Sequence, residues 1–181
     1  GDERRTELAQ ITEIKEDKEI ANVEPEKCVV VMTEGGLIKR VPSSSFKIQK
    51  KNGIGVKTQD DITNCVIRTN TVDSLMVFTS YGKMYRLLVD DIPVGTNTTK
   101  GVPISSLIKL ENKEKPSIIY SIYRDTDAKY VCFITEQGII KKSLLEEYTK
   151  TKRAGGGIAA MNLRNNDKLV SVFLLNEEDI I

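Results

Sequence analysis

An octet of residues recurs three times along the chain, and its spacing limits the folds that are possible. The octets are TEGGLIKR at 33–40, TSYGKMYR at 79–86 and TEQGIIKK at 135–142. Each begins with Thr, has Gly three residues later and ends in one or two cations, and each follows a short apolar run. Such self-similarity at a fixed spacing indicates three copies of one structural unit.

The copies stay in register without a gap for 24 residues. Counted from each Thr, a large apolar or aromatic residue follows at plus 13, a glycine at plus 22 and a β-branched residue at plus 23. These residues are Phe46, Ile92 and Tyr148; Gly55, Gly101 and Gly157; and Val56, Val102 and Ile158.

Each unit begins as an apolar strand, a tight turn and a second strand, in which the glycine supplies the positive φ of a short hairpin. The Thr spacings of 46 and 56 residues, with four strands per unit, are typical of a propeller blade. The apolar residues lack the 3.6-residue period of helical repeats. We therefore predict an all-β, propeller-like fold of about three antiparallel blades. The blades should begin near Cys28, Leu75 and Val131, with Gly36, Gly82 and Gly138 in equivalent hairpin turns.

The first 27 residues differ from the rest, because they hold nine acids against five bases and few apolar residues. We predict that residues 1–27 are an acidic connector from a preceding domain and that 28–181 are one partial propeller domain. The predicted blades are about 28–73, 74–128 and 129–177. Residues 178–181 resemble the first strand of a fourth unit, so a fragment is expected.

Composition excludes several kinds of site. The chain has no histidine, so a Ser-His or Cys-His nucleophile pair is excluded. Its three cysteines lack metal-ligand spacing and are expected to be reduced core residues, and no metal site is predicted. No apolar run approaches the roughly 18 residues of a membrane span, so a soluble protein without a membrane partner is expected.

Basic charge recurs with the repeat. The net charge is +5 for residues 28–59, +2 for 79–109 and +3 for 129–153, whereas the remaining segments are negative. One such cluster is usually a solvated hairpin tip. Equivalent positions of stacked blades share one rim, however, so three clusters in register predict a curved positive track. A polyanion that touches three blades is most simply a nucleic acid duplex.

The loop QKKNGIG at 49–55 carries two adjacent cations and two closely spaced glycines. Lys50 and Lys51 supply charge that answers a phosphate, while Gly53 and Gly55 let the backbone turn sharply or lie close to a ligand. Alone, such a loop is more often only solvated surface.

In this context the chain resembles a family: the C-terminal domain of the gyrase A protein of bacterial DNA gyrase, together with its topoisomerase IV relative. The repeats resemble the first three blades of that family's β-pinwheel, a propeller-like disc with altered strand order. Residues 49–55 resemble its gyrase A box: Gln49, both lysines, Gly53 and Gly55 match, whereas Asn52 replaces a glycine and Ile54 a frequent cation.

The resemblance implies that this domain wraps duplex DNA around its rim, as part of an ATP-dependent type II topoisomerase that introduces negative supercoils. The chain alone would be non-catalytic, since the transesterifying tyrosine belongs to the breakage-reunion domain and none of the six tyrosines here lies in a matching motif. No cofactor is expected in this chain, while ATP and Mg²⁺ belong to the partner protein, gyrase B. Implied partners are double-stranded DNA, the breakage-reunion domain and gyrase B, in an enzyme of two gyrase A and two gyrase B chains in the bacterial cytoplasm, associated with the chromosome.

Contacts are expected chiefly to backbone phosphates, because nothing in the sequence offers a recognition helix. The predicted DNA-binding residues are Lys39, Arg40, Gln49, Lys50, Lys51, Gly53, Gly55, Lys57, Arg86, Lys100, Lys141, Lys142, Lys150, Lys152 and Arg153.

Three alternatives stay open at this point. The first is the topoisomerase IV counterpart, which guides relaxation and decatenation. The second is a protein-binding propeller of the WD40 kind, which the absence of Trp and of Gly-His or Trp-Asp signatures disfavours. The third is a propeller enzyme that processes sugars or phosphates, which the lack of His and of paired carboxylates disfavours.

Overall fold

The structure is a computed structural model that describes residues 23–45, 62–149, 156–164 and 167–179. The strands of these ranges are β1 (Lys27–Thr33), β2 (Leu37–Pro42), β3 (Thr63–Asn70), β4 (Ser74–Thr79), β5 (Lys83–Leu88), β6 (Val102–Pro103), β7 (Pro116–Ile122), β8 (Tyr130–Thr135), β9 (Ile140–Leu144), β10 (Ile158–Ala159) and β11 (Leu169–Leu175). Short 3-10 turns lie at Ser43–Ser45, Val89–Asp91 and Ile104–Ser106, and one-turn helix α1 at Glu146–Thr149.

The strands form three antiparallel sheets, in the orders β3-β1-β2-β6, β10-β5-β4-β7 and β11-β8-β9. We call them the first, second and third sheets. Their first strands β1, β4 and β8 contain Cys28, Leu75 and Val131, so the all-β prediction and its three starting points are confirmed. The boundaries of the connector and the blades stay predictions.

Two strands are donated from one repeat to the sheet before it. β6 follows β5 along the chain but pairs with β2 of the first sheet, with Ile38 opposite Val102. In the same way β10 follows β9 but pairs with β5 of the second sheet, with Met84 opposite Ile158. This exchange agrees with the altered strand order that the resemblance to a β-pinwheel implies.

The three octets form matching hairpins. Gly36, Gly82 and Gly138 have φ values of 81°, 68° and 82°, in the left-handed region that favours glycine. In each hairpin the glycine N–H donates to the carbonyl of the leading Thr at 3.0 Å. The predicted equivalence of these turns is confirmed.

The glycines at plus 22 allow the donated strands to approach closely. A Cβ on Gly101 would lie 2.6 Å from the carbonyl oxygen of Ile38, and one on Gly157 would lie 2.6 Å from the ring of Tyr85. Only glycine leaves room for the chain at these two positions, where each donated strand begins. Gly55, the corresponding residue of the first repeat, lies outside the described residues.

The second sheet is covered on both faces by apolar side chains. Side chains alternate along β4, so Leu75 and Val77 pack with the first sheet in one core cluster. Met76 and Phe78 pack with the third sheet in another, where the rings of Phe78 and Phe133 meet edge to face at 5.6 Å. Each sheet is thus fixed to the next by its own apolar core.

The cysteines lie free, with Cys28 and Cys132 buried and Cys65 half-buried. Burial is the main cause that raises the pKa of Cys28 to about 11. Glu178 and Asp179 belong to a turn rather than a strand, because the Asp179 carboxylate accepts a hydrogen bond from the N–H of Asn176 at 2.6 Å. Ile180 and Ile181 lie outside the described residues, so the start of a fourth unit stays a prediction.

Candidate nucleic-acid interface

The cations that end the octets lie on the second strand of each octet hairpin. Lys39 and Arg40 belong to β2, Arg86 to β5, and Lys141 and Lys142 to β9. Successive side chains of a strand point to opposite faces, so the two cations of one octet do not share a surface. Each therefore has its own surroundings.

Lys39 is enclosed by the protein, with 1% of its surface exposed. Its ammonium group donates to the carbonyl oxygens of Thr99 at 2.7 Å, Thr96 at 3.0 Å and Asn97 at 3.3 Å. Burial lowers the pKa of this lysine. The structure thus places the predicted DNA contact Lys39 beneath the loop 95–101 instead of on the exposed rim.

Arg40 is also occupied within the fold. Its Nε donates to the carbonyl of Ile92 at 3.1 Å, and one terminal nitrogen lies 3.2 Å from the carboxylate of Asp90. The same nitrogen donates to the Asp90 carbonyl at 3.3 Å. These bonds fix the 3-10 turn at Val89–Asp91 against β2, and they leave Arg40 only 9% exposed.

The third sheet presents its two cations differently. Lys141 and Lys142 are both exposed. The Lys141 ammonium group donates to the carbonyl of Ala160 at 2.7 Å, and so holds the chain just after β10. The Lys142 ammonium group lies 4.3 Å from the centroid of the Tyr130 ring, a cation–π contact that keeps the charge at the surface.

Arg86 is half-buried on β5, and Lys100 is exposed in the loop 95–101. The other predicted site residues lie outside the described residues, including the whole box-like segment 49–55. They are Gln49, Lys50, Lys51, Gly53, Gly55, Lys57, Lys150, Lys152 and Arg153. Their DNA contacts, like those of the described cations, stay predictions.

The loop 95–101 occupies in the second repeat the place that 49–55 has in the first, since both run from plus 16 to plus 22 after the leading Thr. The Thr96 N–H donates to the Thr99 hydroxyl at 2.9 Å, and that hydroxyl donates back to the Thr96 carbonyl at 3.1 Å. The Asn97 amide donates to the Ser45 carbonyl at 3.4 Å, just before the first-repeat segment begins. Residues 96–100 are all exposed, so the loop lies at the protein surface.

Sequence reasoning missed a carboxylate that fixes the hairpins. In the second sheet the Thr79 hydroxyl donates to buried Glu114 at 2.5 Å, and in the third the Asp167 carboxylate accepts from the Gln137 N–H at 3.0 Å. Glu114 directly precedes Lys115, whose carbonyl accepts a hydrogen bond from the Ser80 N–H. Asp167 likewise precedes Lys168, whose carbonyl accepts a hydrogen bond from the Glu136 N–H. Glu114 lies 35 residues after its leading Thr and Asp167 lies 32 after its own, so no regular spacing in the sequence could have revealed them.

Hydrogen bonds oppose burial at both carboxylates. Burial acts to raise the pKa of Glu114, but donors from Thr79, the Glu111 N–H and Tyr85 outweigh it and lower the pKa. At Asp167 burial is likewise outweighed by hydrogen bonds from Thr135, Gln137 and Lys168, and the pKa is lowered. Both groups are therefore suited to act as structural anions.

Two kinds of feature matter in the described ranges: clusters of metal ligands and membrane-spanning helices. No group of three His, Cys, Asp or Glu residues there could hold a metal ion. No helix among those residues is long and apolar enough to cross a membrane.

Solved structures with a similar fold include C-terminal domains of DNA topoisomerase IV and of DNA gyrase A. The crystal structure of the C-terminal domain of DNA topoisomerase IV is 27% identical, with a TM-score of 0.67, over 85% of this chain and 47% of that one. The structure of a DNA gyrase A C-terminal domain has a TM-score of 0.69 over 84% of this chain and 49% of its own. Its identity of 24% speaks for the fold alone.

Curated relatives cover nearly the whole chain. The gyrase A protein of Halalkalibacterium halodurans DNA gyrase is 35% identical over 180 residues, which are 97% of this chain and 21% of the relative. The gyrase A protein of Campylobacter jejuni is 36% identical over 180 residues, 95% of this chain and 21% of the relative. The chain thus spans about a fifth of the length of these relatives.

The model of the family described as "DNA gyrase C-terminal domain, beta-propeller" matches residues 29–64, 73–115 and 129–176, one segment in each repeat. The resemblance deduced from the octets and the box is confirmed, and the chain belongs to the DNA gyrase C-terminal domain family.

Proposed function

We propose that this chain binds duplex DNA without sequence specificity and wraps it around a basic rim, as the C-terminal part of a DNA gyrase that introduces negative supercoils. The observation that carries the proposal is the similarity to gyrase A proteins, which extends through all three repeats at 35% identity. Clusters of cations also recur in all three repeats, although Lys39 and Arg40 of the first are buried.

The described surface supports phosphate contacts more than base recognition. Lys100, Lys141 and Lys142 are exposed, and loop 95–101 adds neutral donors. The α-helix of the described residues is only four residues long, which is too short to serve as a major-groove recognition helix. Bending a site of 20–30 base pairs costs about 1–6 kcal/mol, so many phosphate contacts must act together.

The rest of the reaction belongs to other parts of the proposed enzyme. The breakage-reunion domain of the same gyrase A chain would cut and rejoin DNA, and gyrase B would hold ATP and Mg²⁺. This domain would then determine how the duplex is presented to them. We propose that it acts in the bacterial cytoplasm, on the chromosome.

The topoisomerase IV counterpart is the second candidate, since the solved domain of that enzyme has a TM-score of 0.67 with this chain at 27% identity. Such a domain would guide relaxation and decatenation without reversing the sign of supercoiling. Gyrase A relatives with 34–36% identity favour gyrase.

Fluorescence anisotropy with the 181-residue chain and two unrelated duplexes of about 40 base pairs tests the binding proposal. We expect similar affinities for the two sequences and a logarithmic salt slope that corresponds to several phosphate contacts, at about 0.9 per contact. A lack of binding, or a slope near zero, would contradict it.

A topology assay then separates the two enzymes. The full gyrase A protein is combined with its ATPase partner, relaxed plasmid and ATP. Negative supercoils that disappear when residues 49–55 are replaced by alanine support gyrase. Relaxation and decatenation without supercoiling would instead identify topoisomerase IV.

A further inference from the structure

Lys39 uses its whole donor capacity inside the fold. A lysine ammonium group has three donors, and here three backbone carbonyls converge on it within 3.3 Å. The lysine comes from the first repeat, whereas all three carbonyls belong to loop 95–101 of the second. A buried cation of this kind is costly unless it is paired or hydrogen-bonded, so the loop and the lysine depend on each other.

The loop is also fixed at both ends by β2. The Gly95 N–H donates to the Arg40 carbonyl at 2.7 Å. At the other end the Gly101 backbone lies so close to Ile38 that a Cβ would meet the Ile38 carbonyl oxygen at 2.6 Å. Lys39 therefore supplies the central support of a loop whose two ends are already attached.

This arrangement separates the loop's acceptors from its donors. The carbonyls of Thr96, Asn97 and Thr99, which would repel a phosphate, are turned toward the buried ammonium group. The side chains of residues 96–100 are exposed, and they include the ammonium group of Lys100. A surface with this polarity suits an anion.

We propose that Lys39 is a positioning residue, which orders loop 95–101 as a phosphate-facing element and does not itself contact DNA. The inference rests on the proposed function. Without the ammonium group, the loop would be free to take other conformations, and binding would carry the cost of ordering it. Lys39 thus assists binding without releasing a counterion, which distinguishes it from the exposed cation Lys100.

The variant Lys39→Met keeps an unbranched apolar stem and removes the charge. In the free 181-residue chain we expect faster hydrogen exchange at the amides of residues 96–100. Affinity for a 40-base-pair duplex should fall by about three- to tenfold, with the salt slope unchanged, because only ordering is lost. The matched variant Lys100→Met should lower affinity and reduce the slope by about 0.9.

A slope that falls in Lys39→Met as it does in Lys100→Met would overturn the inference, since Lys39 would then be a phosphate contact. Unchanged affinity or unchanged exchange in the Lys39 variant would also overturn it. Absence of duplex binding by the unaltered chain would instead overturn the proposed function, and the inference with it.

If Lys39→Met fails to fold, Thr99→Val replaces it. This change removes the two hydrogen bonds between Thr99 and Thr96 at an exposed position, and so loosens the loop without disturbing the core. Faster exchange together with weaker binding and an unchanged slope supports the inference. Faster exchange with unchanged affinity overturns it.

Discussion

Glu114 joins three parts of the second repeat at one carboxylate. One oxygen accepts the Thr79 hydroxyl at the end of β4, and the other accepts the Tyr85 hydroxyl of β5 at 2.7 Å. The latter oxygen also accepts the N–H of Glu111 at 2.8 Å, which closes the loop that leads into β7. All three donors lie at a buried carboxylate. If an amide replaced this carboxylate, its NH2 group would face one of these donors in place of an acceptor oxygen.

Glu114→Gln should therefore lower the free energy of unfolding by about 1–3 kcal/mol, because buried donors lose an acceptor. Urea unfolding at neutral pH measures this. Glu111→Gln, at an exposed residue that pairs with Lys83, should change stability by less than about 1 kcal/mol. Equal effects of the two changes would show that the buried carboxylate has no special role.

The contribution of Glu114 should depend on pH. Its pKa is lowered in the folded state from the ordinary 4.5, so its stabilisation is present above that value and is lost as the pH falls through the folded pKa. The difference in unfolding free energy between the unaltered chain and Glu114→Gln should thus shrink below about pH 4. A difference that stays constant from neutral to acid pH would contradict this.

Lys142 tests the exposed part of the rim. Its removal in Lys142→Ala should weaken duplex binding about equally for unrelated sequences and reduce the salt slope by about 0.9. Lys109→Ala, at an exposed lysine outside the predicted DNA-binding set, is the matched control and should leave the slope unchanged. Equal slopes in both variants would remove Lys142 from the track.

The burial of individual cations is the feature that the sequence could not predict. Three clusters of cations in register predict a rim position for Lys39 and Arg40, whereas the structure encloses both. The burial of Lys39 depends on a loop some 60 residues away, and on carbonyl oxygens, which every residue carries alike. No residue pattern distinguishes a carbonyl that binds an ammonium group from one that does not, so the enclosure of Lys39 could not be predicted.

The octet hairpins are the elements that most strongly require one residue type, glycine, in their turns. Gly82 has a positive φ, and its carbonyl accepts the N–H groups of Ala160 and Met161, both at 2.9 Å. A Cβ there would lie 2.0 Å from the carbonyl oxygen of Met161. Gly138 has a similar φ, yet a Cβ on Gly138 would have no atom within 4 Å among the described residues. The two turns share one geometry and differ only in what surrounds them.

This pair separates backbone strain from steric exclusion. Gly138→Ala should cost about 1–2 kcal/mol, from the left-handed conformation alone. Gly82→Ala should cost more than Gly138→Ala, because the chain after β10 must also move away from the hairpin. Urea unfolding of both variants makes the comparison, and an equal loss in the two would show that the segment at Met161 yields freely.

The longer elements could be predicted, and the shortest could not. The apolar runs before each octet and the turn glycines define β1, β2, β4, β5, β8 and β9, since both signals are local. β6 and β10 are two residues each, which is too short for any period to appear. The strands that pair with β6 and β10 lie in the preceding repeat. The only sequence signal for β6 and β10 is therefore the glycine at plus 22 and the β-branched residue at plus 23.

At the scale of the whole molecule, the sheets are connected both by apolar cores and by shared strands. β6 completes the first sheet although its chain neighbours build the second, and β10 does the same one repeat later. Buried Asp73 adds a polar link, since it accepts from the Thr69 hydroxyl at 3.0 Å and from the Arg124 N–H at 3.0 Å. Loss of one donated strand should therefore disturb two sheets.

Val102→Pro tests this coupling, because proline cannot donate to the β2 ladder and disfavours the positive φ of 90° at Gly101 before it. We expect faster hydrogen exchange in β2 as well as in the second sheet, with a lower melting temperature. Val102→Ala keeps the N–H and should cost only about 1–2 kcal/mol. If β2 exchanges faster in the proline variant while the second sheet is unaffected, the two sheets are independent.

Strand donation also determines when each of these sheets can be completed during translation. A chain that leaves the ribosome from its N-terminus can form β1, β2 and β3 early, but the outer side of β2 receives its partner only after Pro103 has been made. The second sheet likewise receives β10 only after Ala159. The first and second sheets thus wait, with one edge open, for a strand from the repeat translated after each, and a nascent chain is most exposed to wrong pairing during that interval.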